Sequence, residues 1–430
     1  MTPLRAAART LLVALAVLPG AIAASAERPR VIVSTDAGGT DYDDLQSLVH
    51  LLLYADVVEI EGLISSPYGP GRARHIADVV DVYARDFPTL ARRSAGYPTP
   101  ETLRKAIFQG AIESAGAVGF GEPTAGSQRI VECGRQADPR PIWVLVWGGI
   151  DDLAQALHDA PDIRPRLRVH FIGGPNKKWS APAYDFLVRE HPHLWMIESN
   201  STYRGWFVGG DQSGDLGNDS FVANCARGRG ALGDYFAHGI AFRGETQTRL
   251  KMGDSPSLAL LLHGDPDAPT CDSWGGAFVR AWNRDRLVWR RVPTAADSVE
   301  TFRVVELVID SPTAAGADLK ASLDLAGQPC PGTRDDRGAW HFWFCPKESR
   351  HWDFTIASDD PAIAGITGAF ASHPAGAGRR DEPDARFPHW WTDDPDPTVA
   401  EGPHEGAKTV NRWRREFLAD FADRLARCTP

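Results

Sequence analysis

The chain has 430 residues, with 46 Lys and Arg against 56 Asp and Glu, and a formal net charge of −10. Apolar residues make up 43% and charged residues 24%, which is typical of a folded globular protein and excludes a disordered chain, a collagen-like chain and a polytopic membrane protein. The acidic balance and the lack of a clustered basic face argue against nucleic acid as the main partner.

The first 26 residues have the pattern of a secretory signal. Arg5 and Arg9 precede the apolar run 11–18, and small residues at 24–26 form an A-x-A-like cleavage site. The apolar run is too short to span a bilayer, which disfavours the alternative of an uncleaved membrane anchor. We therefore predict a periplasmic or extracellular protein that has no membrane contact once the signal, residues 1–26, is removed.

The cysteine content fits an oxidising compartment. Six cysteines are an even number and are compatible with disulfides there. Cys330 and Cys345 flank a predicted hairpin and are the preferred pair, whereas the pairing of the other four is not readable from the sequence. No C-x-x-C occurs in the sequence, which argues against a structural zinc site.

Residues 29–285 alternate between short β-rich runs and amphipathic stretches. Continuous apolar strands separated by helices predict an α/β fold with a doubly wound, mainly parallel sheet covered on both faces. Sites in such folds lie beyond the carboxyl ends of the strands. The predicted strands are 30–35, 57–64, 141–147, 167–172 and 194–198, and the predicted helices are 43–54, 72–84 and 151–158.

The pattern changes near residue 286. Residues 300–357 alternate as β-strands with frequent turns, which predicts a small antiparallel β unit. The acidic run 390–396 is interpreted as an exposed turn rather than as a lid over a site. We predict an α/β domain at 27–285, a β-rich insertion at 286–380, and a segment at 381–430 that completes the α/β domain. The last helix requires a packing partner because apolar residues share one of its faces, namely Val410, Trp413, Phe417, Phe421 and Leu425.

The sharpest chemical feature is the acidic run 36–44, where a predicted strand ends and a helix begins. Four carboxylates within nine residues repel one another unless they are solvated or bind a cation, and oxygen ligands without His or Cys suit calcium or magnesium. The glycines of the loop allow a tight turn in which Asp36 and Asp44 converge. On composition alone, a helix N-cap with a solvated acidic turn stays open as the alternative. The carboxylates are Asp36, Asp41, Asp43 and Asp44.

The order strand–Asp–x–Gly–loop–Asp–Asp–helix resembles the nucleoside hydrolase-like superfamily, and more closely its Sde182-type, cellulose-binding branch. Several later segments resemble that branch in the same order along the chain. The resemblance covers residues 29–285 and 389–428, whereas 286–380 resemble nothing that we can name. These segments are EGLI at 61–64, GYPTP at 96–100, WGGIDDLAQAL at 147–157, TYRG at 202–205, GDSPS at 253–257, SWGG at 273–276 and the helix containing RWR at 412–414.

The resemblance implies a hydrolase of N-glycosidic bonds that holds one calcium ion, which binds the ribose diol and a water. Asp36 would ligate the ion and take a proton from the water, and Asp44 would be a further ligand. Asp151, or the main-chain carbonyl near it, would be another ligand, and Asp254 would close the shell. The anions around the site would stabilise an oxocarbenium-like transition state.

Four residues are candidates for binding the substrate. Asp43 would hold a sugar hydroxyl, and Asn176 is what remains of the Asn-rich ribose-binding set of the family. Trp179 lies in a loop-like segment and is a candidate sugar-stacking platform, with packing as the alternative for the tryptophans in general. Arg204 would hold a carboxylate or a sugar oxygen, or pair with a structural Asp.

The sequence departs from the pattern of the family at two places. Ser34 replaces the first Asp of Asp-x-Asp-x-Gly, and Gly253 replaces the His that assists the leaving base. The metal half of the site is retained and the leaving-group half is not. Two alternatives to the enzyme therefore stay open, a polysaccharide- or cellulose-binding protein without catalysis and a protein whose calcium is structural. The expected ligand is a small glycoside or a polysaccharide, and the oligomeric state is open, a homo-oligomer included.

Overall fold

The structure is a computed structural model that describes residues 27–39, 41–66, 69–313 and 318–430. The predicted signal, residues 1–26, lies outside the described residues. Within the described ranges, no helix has both the length and the apolar character needed to cross a membrane.

Strands and helices are numbered here in chain order. The strands are β1 (Arg30–Thr35), β2 (Glu59–Ser65), β3 (Ile107–Gln109), β4 (Ile142–Val146), β5 (Leu167–Ile172), β6 (Met196–Ser199), β7 (Ala241–Phe242), β8 (Glu245–Thr246), β9 (Val279–Arg280), β10 (Leu287–Trp289), β11 (Ser298–Glu300), β12 (Val305–Ile309), β13 (Ala321–Leu325), β14 (Gln328–Arg334), β15 (Trp340–Phe344), β16 (His351–Ser358), β17 (Thr367–His373) and β18 (Trp390–Thr392). The α-helices are α1 (Asp43–Leu53), α2 (Ala73–Arg93), α3 (Pro100–Lys105), α4 (Ala125–Arg135), α5 (Asp151–Asp159), α6 (Ala181–Glu190), α7 (Asn218–Phe221), α8 (Gly230–Asp234), α9 (Ser255–Leu262), α10 (Lys408–Asn411) and α11 (Arg414–Ala426).

The first sheet has the strand order β3-β2-β1-β4-β5-β6-β18-β9. All of its neighbouring pairs are parallel except β18 with β9. The chain winds outward from β1 in one direction and from β4 in the other, so the direction of winding reverses between these two strands. The predicted doubly wound α/β fold is therefore confirmed, and its switch point lies at the carboxyl ends of β1 and β4.

Alternating side chains of each central strand enter two different cores. In β1, Val31 and Val33 belong to the core that α1, α2, α9 and α11 cover, whereas Ile32 belongs to the core under α4, α5 and α6. In β4, Trp143 and Leu145 face the first core and Val144 faces the second. Because both faces are covered, β4 and the middle of β1 are continuously apolar, as the sequence predicted.

The second sheet is built from residues 287–373 and has its own core. Its order is β10-β12-β15-β14-β13-β16-β17-β11. The central pairs are antiparallel, as expected, but the pairs of β10 with β12 and of β11 with β17 are parallel. We call residues 287–373 the β unit. Tryptophan and phenylalanine dominate its core, including Trp289, Trp340, Phe342, Trp352 and Phe370.

The C-terminal segment returns to the first sheet. β18 pairs in parallel with β6, and Phe417 of α11 stacks on Trp206 with ring centroids 3.8 Å apart. The expectation of an exposed turn at 390–396 is wrong for 390–395, which are buried. Asp393 accepts the backbone N–H groups of 200, 201 and 202, each at 3.0 Å, so its carboxylate is a structural acceptor inside the fold.

All six cysteines are free thiols, so the structure does not contain the preferred Cys330–Cys345 disulfide. The strand register explains the difference. Gly332 of β14 lies opposite Phe342 of β15. Continuing that register places Phe344 opposite Cys330, and Cys345 is one residue out of step. Successive side chains in a strand point to opposite faces, so the two sulfurs do not face each other.

Candidate functional site

A cavity of about 290 Å³ opens at the switch point of the first sheet. It lies beyond the carboxyl ends of β1, β4 and β5, and the β unit contributes Lys347 to its wall. The floor is acidic and consists of carboxylates from two distant stretches of the chain. We call the five acidic residues that line the cavity the acid floor: Asp36, Asp41, Asp43, Asp44 and Asp254.

The turn after β1 brings the first part of the acid floor together. The Gly39 N–H donates to the Asp36 carbonyl at 2.7 Å, and Gly38 has φ +84°, a conformation that favours glycine. A Cβ at Gly38 would also lie 2.1 Å from the His75 ring. Thr35 Oγ1 donates to the Asp44 carboxylate, which orients Asp44 toward the cavity.

The first turn of α1 does not match the alternative of a capped, solvated acidic turn. Tyr42 occupies the N-cap position and makes no side-chain capping hydrogen bond. Asp36, Asp43 and Asp44 are 7%, 7% and 4% exposed, so their carboxylates are not solvated. Charges in the first turn of a helix are favoured by its dipole, but burial of three neighbouring carboxylates still requires a compensating charge.

Asp254 reaches the acid floor from the far end of the α/β domain. It lies at the start of α9, is 3% exposed, and its Oδ2 has no hydrogen-bond partner among the described residues. The loop before it is held to α1, because Gln46 Oε1 accepts the N–H groups of Lys251 at 2.8 Å and Met252 at 3.1 Å. Asp254 is therefore fixed in place with one carboxylate oxygen unsatisfied.

The acid floor raises the pKa values of its own members. Burial, followed by the charges of Asp41 and Asp43, raises the pKa of Asp36 to about 7, against the hydrogen bond with Asp44, which lowers it. Burial and then the charge of Asp36 raise the pKa of Asp44 well above its ordinary range. Burial, followed by the charges of Asp44 and Asp43, does the same for Asp254. Like charges in one buried site favour either proton uptake or binding of a cation.

One protein cation compensates part of this charge. Lys251 Nζ lies 2.6 Å from Asp41 Oδ2 and 3.3 Å from Asp43 Oδ1. Burial opposes ionisation of Asp41, but the hydrogen bond with Asp43 and the charge of Lys251 lower its pKa overall. Within the described ranges, no Lys or Arg forms an ion pair with Asp36, Asp44 or Asp254. These three carboxylates therefore have no protein cation of their own, whereas Asp41 and Asp43 share one.

The donor set fits a hard divalent cation. Every candidate ligand on the floor is a carboxylate oxygen, and carboxylate oxygens of Asp41, Asp43 and Asp44 lie within 4.8 Å of one another. Neither His nor Cys lines the cavity among the described residues. Such a set suits calcium or magnesium rather than zinc or copper. The unpartnered Oδ2 of Asp254 is what a missing ligand bond would leave.

Gly253 has a steric explanation in this site. A Cβ at Gly253 would lie 2.3 Å from Asp43 Oδ2 and 3.4 Å from the Tyr203 ring. No side chain fits there while Asp43 keeps its place. Glycine at this position, where the resemblance implies a His, therefore leaves room for Asp43 beside Lys251.

The predicted substrate residues gather at the same cavity. Asp43, Asn176, Trp179 and Arg204 all line it. Asn176 Nδ2 donates to the carbonyls of Trp147 and Ile172, both at 2.9 Å, so the amide nitrogen is used by the fold and the oxygen is left for a ligand.

Asp151 is the predicted site residue that the structure does not bring to the cavity. Its Oδ1 accepts the Ala115 N–H at 2.7 Å, and it is not among the residues that line the site. It begins α5, where a carboxylate is favoured by the helix dipole, and burial raises its pKa to about 7. Trp147, directly after β4, lines the cavity instead.

Sequence reasoning predicted Arg204 but missed the three lysines that line the cavity. Lys251 lies three residues before Asp254 in the sequence, but a lysine at this spacing does not by itself predict a place in the site. Lys178 and Lys347 also line the cavity. Lys347 belongs to the β unit, and no local pattern connects a strand-rich insertion with a site on another sheet.

Comparison with known protein families identifies the family of this chain. The family described as cellulose-binding Sde182, nucleoside hydrolase-like domain, matches residues 30–278. The chain therefore belongs to the Sde182-type nucleoside hydrolase-like family, and its fold class is nucleoside hydrolase-like. No curated protein matches the chain.

Solved structures similar to this chain include a nucleoside hydrolase-related hypothetical protein from Saccharophagus degradans associated with carbohydrate metabolism. It is 19% identical with a TM-score of 0.49, and the match covers 81% of this chain and all of that one. An inosine-uridine preferring nucleoside hydrolase from Bacillus anthracis is 18% identical with a TM-score of 0.36, covering 59% and 85%. A purine-preferring ribonucleoside hydrolase from Gardnerella vaginalis is 16% identical with a TM-score of 0.32, covering 56% and 81%.

Proposed function

We propose that this chain is an exported, calcium-dependent hydrolase that cleaves an N-glycosidic, riboside-like bond. The observation that carries the proposal is the convergence of Asp36, Asp44 and Asp254 on the floor of one cavity, buried and without a protein cation of their own. Asp36, Asp44 and Asp254 are the proposed calcium ligands, together with main-chain oxygen near Trp147. Asp151 is left out as a side-chain ligand, because its carboxylate binds Ala115.

The residues of the floor divide the chemistry among them. Bound calcium would supply Lewis acidity and hold sugar hydroxyls. Asp36 accepts a proton from the attacking water at a carboxylate oxygen. Asp43 accepts a hydrogen bond from a sugar hydroxyl. Burial and then the charge of Asp41 raise the pKa of Asp43 well above its ordinary value, and the charge of Lys251 partly opposes that shift. The anionic floor stabilises the positive charge that develops on the sugar ring.

The leaving-group side of the cavity limits which substrates the protein can cleave readily. Gly253 supplies no proton donor, and a Cβ at that position would lie 2.3 Å from Asp43 Oδ2. A leaving group that departs as a stable anion needs no donor, whereas a purine needs protonation to leave readily. We therefore expect p-nitrophenyl β-riboside to be hydrolysed faster than inosine.

The second candidate function is polysaccharide binding without catalysis. The description of the family as cellulose-binding and the missing His favour it. The distribution of tryptophan argues against a flat cellulose face. None of the fourteen tryptophans, all of which lie in the described residues, is exposed, and Trp206 is fully buried against Phe417. Flat carbohydrate platforms need exposed aromatic rings.

Hydrolysis of p-nitrophenyl β-riboside, an O-glycoside, and of inosine, an N-glycoside, by the mature chain, with calcium and with chelator, tests the proposal. Asp36→Asn is expected to lower kcat by about 100-fold or more, because general-base catalysis contributes about 10²–10⁴. Asp353→Asn, at an exposed position on β16, is the matched control. An unchanged kcat in Asp36→Asn removes the proposed role. Retention on cellulose with no turnover of any riboside supports the second candidate.

A further inference from the structure

Three cations line the cavity in addition to Lys251. Lys178 follows the carboxyl end of β5, Arg204 follows β6, and Lys347 comes from the β unit after β15. We call Lys178, Arg204 and Lys347 the basic rim. The basic rim and the acid floor belong to one cavity, so a single ligand meets both.

The basic rim lacks acidic partners. Arg204 and Lys347 form no side-chain hydrogen bond or ion pair with any described residue, and the guanidinium of Arg204 stands 5.3 Å from the Tyr203 ring centroid. Lys178 Nζ donates at 2.9 Å to Gln328 Oε1, which is a neutral amide. Lys251, in contrast, is paired with Asp41. The positive charge of the rim is thus available to a ligand.

The positive charges of Lys178 and Lys347 repel each other, and a bound anion would reduce this repulsion. Burial, followed by the positive charge of Lys347, lowers the pKa of Lys178 to about 8, while Cys330, Cys345 and Glu348 act weakly in the other direction. Two ammonium groups that converge without a counter-ion disfavour each other's charge. An anion between them reverses that effect.

We propose that the ligand of this cavity is an anionic sugar, in which a carboxylate, phosphate or sulfate group binds to the basic rim while the sugar hydroxyls meet the acid floor. The inference rests on the proposed function for the orientation of the sugar, but the charge of the rim is independent of catalysis. A volume of about 290 Å³ is near the lower limit of ligand sites, which suits one sugar with a small substituent.

The inference also gives the β unit a role. Lys347 and Gln328, which holds Lys178, both belong to it. The β unit is held to the first domain by two contacts. Lys177 Nζ donates to the Phe302 carbonyl at 2.7 Å, and Arg286, directly before the β unit, bridges Asp185 of α6 at 2.5 Å and Glu306 of β12 at 2.7 Å. The insertion therefore completes the wall of the site with positive charge, on a fixed base.

The test measures binding to the calcium-loaded mature chain by titration calorimetry at constant ionic strength. The probes are methyl β-ribofuranoside, its 5-phosphate, its 5-sulfate and the corresponding 5-uronate. We expect at least one anionic probe to bind about tenfold or more tightly than the neutral one, because charge-assisted hydrogen bonds in a partly desolvated site exceed neutral ones by that order. Comparison of the three anionic probes shows whether the site prefers a phosphate, a sulfate or a carboxylate group.

Two variants and one control locate the effect. Arg204→Gln and Lys347→Gln are expected to reduce the preference for the anion by about tenfold each. Lys320→Gln is the matched control, because Lys320 is exposed on the β unit and does not line the cavity. Equal binding of neutral and anionic probes, binding of none of them, or a preference that survives both variants would overturn the inference.

A parallel measurement separates this inference from the proposed function. Hydrolysis of neutral p-nitrophenyl β-riboside is followed in the same wild-type preparation. If the protein prefers the anionic probes but does not hydrolyse the riboside, the inferred anion site stands and the proposed hydrolase function does not. If the protein hydrolyses the riboside but does not prefer the anionic probes, the proposed hydrolase function stands and the inferred anion site does not.

Discussion

Trp147 and Ser257 are joined by a hydrogen bond from the indole Nε1–H to the Ser257 Oγ at 2.7 Å. The same Oγ donates to the Asp254 carbonyl at 2.7 Å. Trp147 follows β4 and Ser257 lies in the first turn of α9. This chain of two bonds links the central strands to the residue that closes the acid floor.

Trp147→Phe is expected to destabilise the protein by about 1–3 kcal/mol, because it removes a buried hydrogen bond and leaves Ser257 less well satisfied. It should also weaken calcium binding, since Asp254 loses part of its support. Chemical unfolding and calcium titration of the variant measure both effects. Trp413→Phe is the control, because the Trp413 Nε1 has no hydrogen-bond partner among the described residues. Equal calcium affinity in the two variants would show that Trp147 does not position Asp254.

Asp254→Asn is expected to change stability in opposite directions with and without calcium. Without calcium the variant should be more stable than wild type, because one buried like charge is removed. With calcium at about 100 times its Kd, wild type should gain about 2.7 kcal/mol, and the variant much less. Thermal unfolding with calcium and with chelator measures both differences, and Asp353→Asn should respond as wild type does. A calcium gain that is the same in Asp254→Asn would exclude Asp254 as a ligand.

Lys177→Met is expected to destabilise the protein by about 3–5 kcal/mol, because it leaves a buried charge without its partner. Lys177 Nζ lies 2.6 Å from Glu198 Oε1, and both side chains are almost completely buried. The double variant Lys177→Met/Glu198→Gln should recover part of the loss. Urea unfolding of the three variants gives the coupling energy. A loss in the double variant that equals the sum of the single losses would mean that the pair is not coupled.

Glu198 also predicts how stability depends on acid. Burial opposes its ionisation, but the charges of Lys177 and Arg284 lower the pKa of Glu198 from 4.5 to about 2. A carboxyl with a lowered pKa contributes stability above its ordinary pKa and loses it as the pH falls through the folded value. Wild type should therefore lose more stability than Glu198→Gln between pH 4.5 and pH 2. Urea unfolding at several pH values measures the slopes, and equal slopes would contradict the assignment.

The acidic run after β1 was predictable because its signals are local. Asp36, Asp43 and Asp44 follow a buried strand, and a turn with Gly38 brings them together within a few residues. Asp254 was placed by resemblance to the family and reaches the same floor. Asp151 had an equally acidic context, and its carboxylate is directed to Ala115 instead. Orientation of a side chain at a helix start depends on the neighbouring loop, which a local pattern does not contain.

The misassigned run 390–395 has the same kind of cause. It is rich in Asp and contains Pro, which is typical of an exposed turn, but β18 adds to the first sheet and Asp393 accepts three backbone N–H groups. The partner residues lie about 200 positions away in the chain, a separation at which sequence spacing holds no information on contact.

The sequence by itself determined the α/β class, the place of the strands, and the acidic run that suits a hard cation, because hydrophobic period and charge density are properties of neighbouring residues. The tertiary structure alone decided which carboxylates share one cavity, which of them Lys251 compensates, and that Lys178, Arg204 and Lys347 converge on its rim. Electrostatic interaction depends on distance in space and on burial. Both are set only when β1, the loop before α9 and the β unit are packed against one another.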